Sequence, residues 1–297
     1  MSHYMTEKKS ALFEQIRQRC PEISDDYIRM HVDRLDESYF EYYTDPDMVC
    51  THVRYMQSIT SDSPFVFLTE FKQQNKISCT ILSFDYPALL SLITGILSGM
   101  GISIESGVIF TYADYEGAKP AQRTRPKTRP RASAAGSIYR KKIIDTFEGN
   151  LETILPHARW QEETEEFFKK IFSLLETREG EAPQNPKRLV NELVVKKLAE
   201  LKIKEYNFLY PAEITIDNVH SRYTCLKVLS IDTPFFLYAF STALSLKGIL
   251  IEYVNIKTVK QEIEDEFHIV DLHSGKISDS TKIDLIKFTV LLTKQFT

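Results

Sequence analysis

The sequence is poor in cysteine and has no long apolar run, and both shortages narrow the classes of protein that it can encode. Its 4 cysteines stand far apart and form no C-x-x-C pair, which favours free thiols over disulfides or a zinc site. No apolar run reaches the roughly 20 residues of a membrane-spanning helix, and the first residues lack the apolar core of a secretory signal. We therefore expect a cytoplasmic protein.

The sequence has no large excess of positive or negative charge. The net charge is −4 at pH 7 and the isoelectric point is about 6.0, so the overall charge requires neither a nucleic acid nor a membrane as partner. Hydrophobic residues make up 43% of the 297 residues, which allows a substantial core in two or three domains.

Catalytic motifs are missing as well. The sequence has no glycine-rich phosphate loop and no G-x-S-x-G motif, and none of its 7 histidines is followed by aspartate. His268 and His273 stand too isolated from thiols and carboxylates in the sequence to predict a metal site. We predict no catalytic residue, no metal and no cofactor.

The sequence does contain an internal duplication. When Asp85 is placed over Asp232, the register holds without a gap for about thirty residues, which chance rarely produces. The identical residues in the first and second repeats are Leu82, Ser83, Asp85, Pro87, Leu90, Leu97, Gly101, Ile102, Ile104, Glu105, Ile109 and Thr111, and Leu229, Ser230, Asp232, Pro234, Leu237, Leu244, Gly248, Ile249, Ile251, Glu252, Ile256 and Thr258.

Both repeats have the same order of elements. A strand-like run ends at Asp-x-Pro, where aspartate can cap a helix and proline suits its first turn. The helix carries one apolar stripe and stops at Gly101 or Gly248, because a left-handed cap position favours glycine. β-branched runs then restore the strand periodicity. The unit is β-α-β-β-α, so the predicted fold class is α+β.

This order, with Asp-x-Pro at the first strand-to-helix turn, resembles the ACT domain, a ferredoxin-like (βαββαβ) module that senses small molecules. The run ITIDNVHSRYTCLKVLSIDTPFFLYAFSTAL is similar to the C-terminal regulatory region of the bifunctional uridylyltransferase/uridylyl-removing enzyme family, which modifies the PII nitrogen signal protein. The residues that match the motifs of that region are Ile214, Ile216, Asp217, Asn218, Ser221, Thr224, Val228, Asp232, Pro234, Leu237 and Tyr238. Residues 27–59 are similar to the helical segment before the regulatory repeats. The family's nucleotidyltransferase and His-Asp phosphohydrolase motifs do not appear.

The resemblance implies a ligand site at the strand-to-helix turn of each repeat. Amides at a helix N-terminus suit the carboxylate of a free amino acid, and the implied ligand is glutamine. The implied site residues are Asp85, Tyr86, Pro87 and Ala88 in the first repeat and Asp232, Thr233, Pro234 and Phe235 in the second. Many ACT domains have glycine after the proline, which lets the backbone approach the ligand. Ala88 and Phe235 depart from that pattern, and a phenyl group can fill the pocket, so we expect binding in the first repeat rather than the second.

The domain organisation follows from the repeats. We predict a helical segment over residues 1–62, a first ACT-like domain over 76–218 with extra helices, and a second over 219–297. Ala212–Asp217 is predicted as the last strand of the first domain, since an ACT unit ends in a strand. His52 lies on an apolar helix face, which is typical of a core or interface histidine.

An insertion over residues 113–142 lengthens the first domain. Residues 117–144 contain no acidic residue and nine lysines and arginines, and their prolines and small residues favour an extended or disordered segment. Nucleic-acid binding through Lys119–Lys142 is the alternative role. No aromatic residue interleaves between 119 and 131 as a stacking platform, so we expect a solvated insertion.

Together these features predict a non-catalytic regulatory protein that senses an amino acid through tandem ACT domains and belongs to nitrogen regulation. One alternative is an ACT scaffold that has lost its ligand and pairs with itself or with a protein partner. Another is a regulatory subunit of a separately encoded nucleotidyltransferase. We expect the two ACT-like domains to pair within the chain, with a homo-oligomer as a further option, and we expect no membrane partner.

Overall fold

The computed structural model describes residues 2–43, 45–112, 141–177, 185–201, 212–259, 262–273 and 275–296. The described helices are α1 (Ser2–Arg19), α2 (Asp25–Asp33), α3 (Glu37–Tyr42), α4 (Pro46–Ser58), α5 (Leu89–Gly99), α6 (His157–Glu176), α7 (Pro186–Glu200), α8 (Phe236–Leu246) and α9 (Ser280–Phe296). The strands are β1 (Phe65–Phe71), β2 (Lys76–Phe84), β3 (Ile102–Thr111), β4 (Lys142–Leu151), β5 (Ala212–Asp217), β6 (Thr224–Ile231), β7 (Ile249–Val259) and β8 (Glu262–Asp271). Most of the predicted basic insertion, residues 113–140, lies outside the described residues.

The eight described strands form one sheet in the order β1-β2-β4-β3-β7-β8-β6-β5. We define the first repeat as β1 to β4 with α5 to α7, and the second as β5 to β8 with α8 and α9. From one end the order is β1-β2-β4-β3, and from the other end it is β5-β6-β8-β7. The two repeats therefore arrange their four strands in the same order from the edge of the sheet inward. The predicted α+β class with two ferredoxin-like repeats is confirmed.

The edge strands differ from the prediction. β5 pairs antiparallel with β6, with Ile214 opposite Val228 and Ile216 opposite Leu226, so it is not the last strand of the first repeat. In each repeat the edge strand precedes the first repeat strand, as β1 precedes β2. A short connection makes such an antiparallel pair with a smaller loss of loop entropy than a return past two helices. The domain boundary at residue 218 stays a prediction.

The chain forms two compact units. The first comprises residues 1–67, 81–85 and 110–145, and the second comprises residues 68–80, 86–109 and 146–297. Helix starts in the first unit follow the sequence: Ser24 accepts a hydrogen bond from the Tyr27 amide at 3.3 Å, and Asp45 accepts one from the Asp47 amide at 3.1 Å. Among the described helices, none is long and apolar enough to cross a membrane.

Cysteine pairing in the first unit corrects the prediction of free thiols. Cys20 and Cys50 form a disulfide with their Cα atoms 6.3 Å apart. They are 30 residues apart in sequence, and they meet because α1 packs against α4. Cys79 and Cys225 remain free thiols.

His52 lies in the core of the first unit, as its helical position predicts. It is 2% exposed, and its Nδ1 atom is 2.9 Å from the hydroxyl of Tyr39. Burial lowers the pKa of His52 to about 4. The imidazole is therefore a neutral, hydrogen-bonded core group at neutral pH.

In the second unit, β6 and β8 present alternating residues to two faces. Leu226 and Val228 of β6 and Ile263 and Phe267 of β8 are buried on the core face, where the Phe267 ring meets Phe240 of α8 with centroids 5.1 Å apart. The alternate residues of the two strands point to the opposite face, which carries Cys225, Lys227, Glu266 and His268. Because α8 packs on this core face, the strand-to-helix turn that precedes α8 is held at the end of β6.

Candidate functional site: the two strand-to-helix turns

The backbone of the two predicted site turns is the same. The Leu89 amide donates to the Tyr86 carbonyl at 3.1 Å, and the Phe236 amide donates to the Thr233 carbonyl at 3.3 Å. In each turn the third residue, Ala88 or Phe235, has a positive φ of 61° or 60°. Proline in the second place and a positive φ in the third match a type II turn, whose third place favours glycine. The glycine that many ACT domains have at this position therefore has a conformational reason, in addition to the access to ligand that the resemblance implies.

The predicted capping role of the two aspartates is wrong. The helices begin at Leu89 and Phe236, so the N-cap positions are Ala88 and Phe235, and neither side chain makes a capping hydrogen bond. Asp85 and Asp232 lie before the turns because the Tyr-Pro and Thr-Pro pairs intervene. Asp85 is exposed, whereas Asp232 is half-buried.

In the first turn, the predicted site residue Tyr86 points into the core. Tyr86 is 7% exposed, its hydroxyl donates to the Glu176 carboxylate, and its ring lies edge-on to Phe172 with centroids 5.8 Å apart. Pro87 is exposed and Ala88 is half-buried. The surface of this turn is thus formed by Pro87 and Ala88, while Tyr86 packs against α6.

The second turn is occupied by side chains of its own repeat. Lys294 of α9 donates from Nζ to the Ile231 carbonyl at 2.9 Å and to Thr233 Oγ1 at 3.4 Å, and it lies 3.6 Å from the centroid of the Phe236 ring. Thr233 is 6% exposed. Phe235 adds a half-buried phenyl group at the position of Ala88. A ligand would have to displace Phe235 or Lys294 to reach the backbone here.

A buried charge cluster lies beneath the second turn. Asp265 of β8 is 3% exposed and accepts a hydrogen bond from the Lys257 amide at 3.3 Å. Burial raises the pKa of Asp265 to about 7 and that of Asp232 above its ordinary value. Burial also lowers the pKa of Lys294 to about 8, although both carboxylates oppose this effect. Lys294 thus partly offsets the charges of the half-buried Asp232 and the buried Asp265.

The first repeat has a corresponding acid. Asp145 of β4 is 1% exposed, and a hydrogen bond from the Phe110 amide corresponds to the one that Asp265 receives from Lys257. Burial and the nearby charge of Asp85 hold the pKa of Asp145 well above its ordinary value. Its Oδ1 atom has no hydrogen-bond partner among the described residues. Both repeats therefore have a buried aspartate that accepts a hydrogen bond from a backbone amide. The charged groups near it differ, since Lys294 lies near Asp265, whereas Asp85 lies near Asp145.

Sequence reasoning missed Asp145, Asp265 and Lys294 as parts of the two turns. The available signal was the strand periodicity, since Asp265 alternates with Ile263 and Phe267 and so belongs to the core face. Lys294 gave no comparable signal, because a lysine near the end of an amphipathic helix is usually solvated.

The left-handed turn makes a direct prediction for Ala88. We expect Ala88→Gly to stabilise the chain by about 0.5 to 1 kcal/mol, because glycine adopts a positive φ without the steric cost that alanine bears. Ala243→Gly within α8 is the control and should destabilise by about 1 kcal/mol. Urea unfolding of both variants measures these changes. A loss of stability in Ala88→Gly as large as in Ala243→Gly would contradict the turn geometry.

Comparison with known proteins confirms the resemblance read from the sequence. The chain is 28% identical over 210 residues to the bifunctional uridylyltransferase/uridylyl-removing enzyme of Bradyrhizobium diazoefficiens, a match that covers 70% of this chain and 18% of that enzyme. It is 27% identical over 208 residues to the enzyme of the same name from Rhodopseudomonas palustris, covering 70% of this chain and 19% of that enzyme.

A third relative, from Nitrobacter winogradskyi, has the same name and is 23% identical over 210 residues. No protein-family model matches the chain, and no solved structure matches it. The matched region is 18% to 19% of the length of these relatives. The chain is therefore similar to a limited part of the bifunctional uridylyltransferase/uridylyl-removing enzymes and spans less than a fifth of their length.

Proposed function

We propose that the chain is a non-catalytic regulatory module that binds a free amino acid, glutamine being the first candidate, at the strand-to-helix turn of the first repeat. The similarity to part of an enzyme family, together with the absence of that family's catalytic motifs from this sequence, supports a regulatory role. A place in nitrogen regulation would follow from the same similarity.

The contrast between the two turns is the observation that carries this proposal. Both turns present the N-terminus of an apolar helix, whose first amides have no partner within the helix and attract a carboxylate. At the first turn the surface consists of Pro87 and the small Ala88, whereas Phe235 and Lys294 take up the corresponding space at the second. Asp85, predicted from sequence as a further ligand contact, stays a prediction.

Thermal unfolding of the chain with each of the twenty amino acids at millimolar concentration tests the proposal. A ligand at 100 times its dissociation constant stabilises by about 2.7 kcal/mol, which raises the midpoint by several degrees. We expect one amino acid, glutamine first, to produce such a shift.

Two exchanged variants make the test specific to the site. Ala88→Phe gives the first turn the side chain of the second and should abolish the shift, whereas Phe235→Ala should leave it unchanged. A shift that persists in Ala88→Phe would locate binding elsewhere. No shift with any amino acid in the wild-type chain would reject amino-acid sensing.

The second candidate function is a scaffold that pairs through α9. This helix exposes an apolar stripe in which Leu285 is 38%, Phe288 56%, Leu291 41% and Leu292 41% exposed. Such a stripe on a soluble chain is typical of an interaction surface. Light scattering should then show a dimer that Phe288→Glu converts to a monomer, while Leu246→Glu, which alters an exposed leucine of α8, has no effect. A monomeric wild-type chain would reject self-pairing.

A further inference from the structure

The outer face of the second-repeat sheet brings together three metal-ligating side chains that are separated in sequence. Cys225 of β6 lies directly opposite His268 of β8 in the antiparallel register, and Glu266 lies two residues before His268 on the same face. One ligand atom from each of the three side chains lies within 4.8 Å of the other two. The sequence predicted no metal site because Cys225 and His268 are far apart along the chain, but strand pairing makes them neighbours.

Aromatic rings hold the imidazole of this cluster in place. The ring of His268 stacks on Tyr223 with centroids 3.9 Å apart and planes 8° apart, and Tyr253 flanks it with centroids 4.5 Å apart. Its side chain is 12% exposed. Two strands and two tyrosines therefore fix the position of the imidazole, so a ligand atom is presented without a large loss of rotamer entropy.

Glu266 is oriented by two neighbours. Its Oε1 atom lies 2.9 Å from His268 Nε2, and its Oε2 atom lies 3.0 Å from Lys227 Nζ. Lys227 can keep its contact with Oε2 while Oε1 turns to an ion between the three donors. A group that orients a ligating carboxylate in this way tunes metal affinity without touching the metal.

The charges around the thiol favour a cation. Glu266 lies beside Cys225, and Asp217 lies directly opposite Cys225 on β5. The two carboxylates outnumber the one positive charge nearby, that of Lys227, so the surroundings of the thiol favour a divalent ion.

We propose that Cys225, Glu266 and His268 bind a zinc ion on the outer face of the second repeat. Sulfur, imidazole nitrogen and carboxylate oxygen together suit Zn²⁺ among the biological divalent metals, and three protein ligands leave a fourth position for water or another group. Binding converts the Cys225 thiol to a metal-bound thiolate and releases its proton to solvent. The site shares no residue with the proposed amino-acid turn and does not depend on it.

Titration of the full chain with Co²⁺ tests this site, since cobalt replaces zinc and reports on thiolate ligation. With Cys225 kept reduced, we expect one equivalent of Co²⁺ per chain, a thiolate-to-cobalt charge-transfer absorption, and loss of that absorption when Zn²⁺ is added. Cys225→Ser should lose the absorption, while Cys79→Ser keeps it because Cys79 is buried elsewhere. No absorption in the wild-type chain, or an absorption that persists in Cys225→Ser, would overturn the proposal.

Matched variants separate ligands from neighbouring groups. Glu266→Gln and His268→Gln should weaken Co²⁺ binding, whereas Glu264→Gln, which alters an exposed carboxylate on the same strand, should leave it unchanged. Lys227→Met should weaken binding by about 10-fold to 100-fold through the orientation of Glu266. Equal effects of Glu264→Gln and Glu266→Gln would contradict the assigned ligand set.

A measurement on the unmodified chain covers the case in which a variant fails to fold. Alkylation of the wild-type thiols, followed by mass spectrometry of the Cys225 peptide, should be slowed at least tenfold by a saturating concentration of Zn²⁺. The same alkylation rate with and without Zn²⁺ would overturn the proposal.

Discussion

Replacing Asp265 by asparagine should remove a pH dependence of about 3 to 4 kcal/mol from the free energy of unfolding between pH 4 and pH 7.5. The folded pKa of Asp265 is raised from 3.8 to about 7, chiefly by burial. Between these values the folded chain holds a proton that the unfolded chain has lost. The wild-type chain therefore loses stability at this site as the pH rises through that window, and the asparagine variant does not.

Urea unfolding of both chains at several pH values measures the effect. The stability of Asp265→Asn relative to wild type should increase with pH, whatever its value at pH 4. The groups that face Asp265 are Asp232 and Lys294, and the range stops below the pKa of about 8 for Lys294. A constant difference for Asp265→Asn would show that Asp265 is not buried as a neutral acid.

Replacing Gly101 by alanine should destabilise the chain by about 3 kcal/mol, clearly more than the same change at Gly248. Both glycines end the helix of their repeat and have positive φ, 97° for Gly101 and 70° for Gly248. A Cβ atom at Gly101 would lie 2.4 Å from the carbonyl oxygen of Glu152, which belongs to the backbone and cannot move aside. At Gly248 the nearest atom is in the side chain of Leu272, 3.0 Å away.

The duplication makes Gly248 a matched control for Gly101. Gly248→Ala carries the cost of a left-handed alanine, about 1 to 2 kcal/mol, while Leu272 can shift to accept the methyl group. Gly101→Ala carries a similar cost and a clash with the backbone. Chemical denaturation of the two variants compares them directly. Equal losses would mean that the close approach of Glu152 does not constrain the first repeat.

The repeated architecture was predictable because its signals are local. Gly101 and Gly248 were expected in left-handed conformations at the helix ends, and both are found there. The helix starts at Ser24 and Asp45 also follow from residues within three positions of the cap. Periodicity and capping act over one or two turns of chain, so one sequence is enough to find them.

The features that were not predicted from the sequence depend on contacts beyond the local pattern of residues. The cap assignment of Asp85 and Asp232 failed because a type II turn, set by the left-handed Ala88 and Phe235, separates them from the helix. The assignment of β5 to the first repeat was wrong because the alternation of its residues predicts a strand but does not identify β6 as its partner.

The side-chain clusters were missed for the same reason. Lys294 reaches the Ile231 carbonyl at the second turn only after α9 packs against α8 and β5. Cys225 meets His268 only when β6 pairs with β8. Each cluster joins residues that share no motif along the chain, so only the tertiary fold brings them together.

The two turns give the repeats different expected roles. The first presents a small residue at its surface, whereas the second is filled by Phe235 and tied to α9 by Lys294. Duplication followed by closure of one site would leave a module with one ligand position per chain and a second repeat that serves its stability.

The stoichiometry of amino-acid binding, measured by isothermal titration calorimetry, is the most direct test of a single ligand site, beginning with glutamine on the wild-type chain, Ala88→Phe and Phe235→Ala. We expect one molecule bound per wild-type chain, none in Ala88→Phe and one in Phe235→Ala. Two molecules per wild-type chain, or undiminished binding in Ala88→Phe, would contradict it.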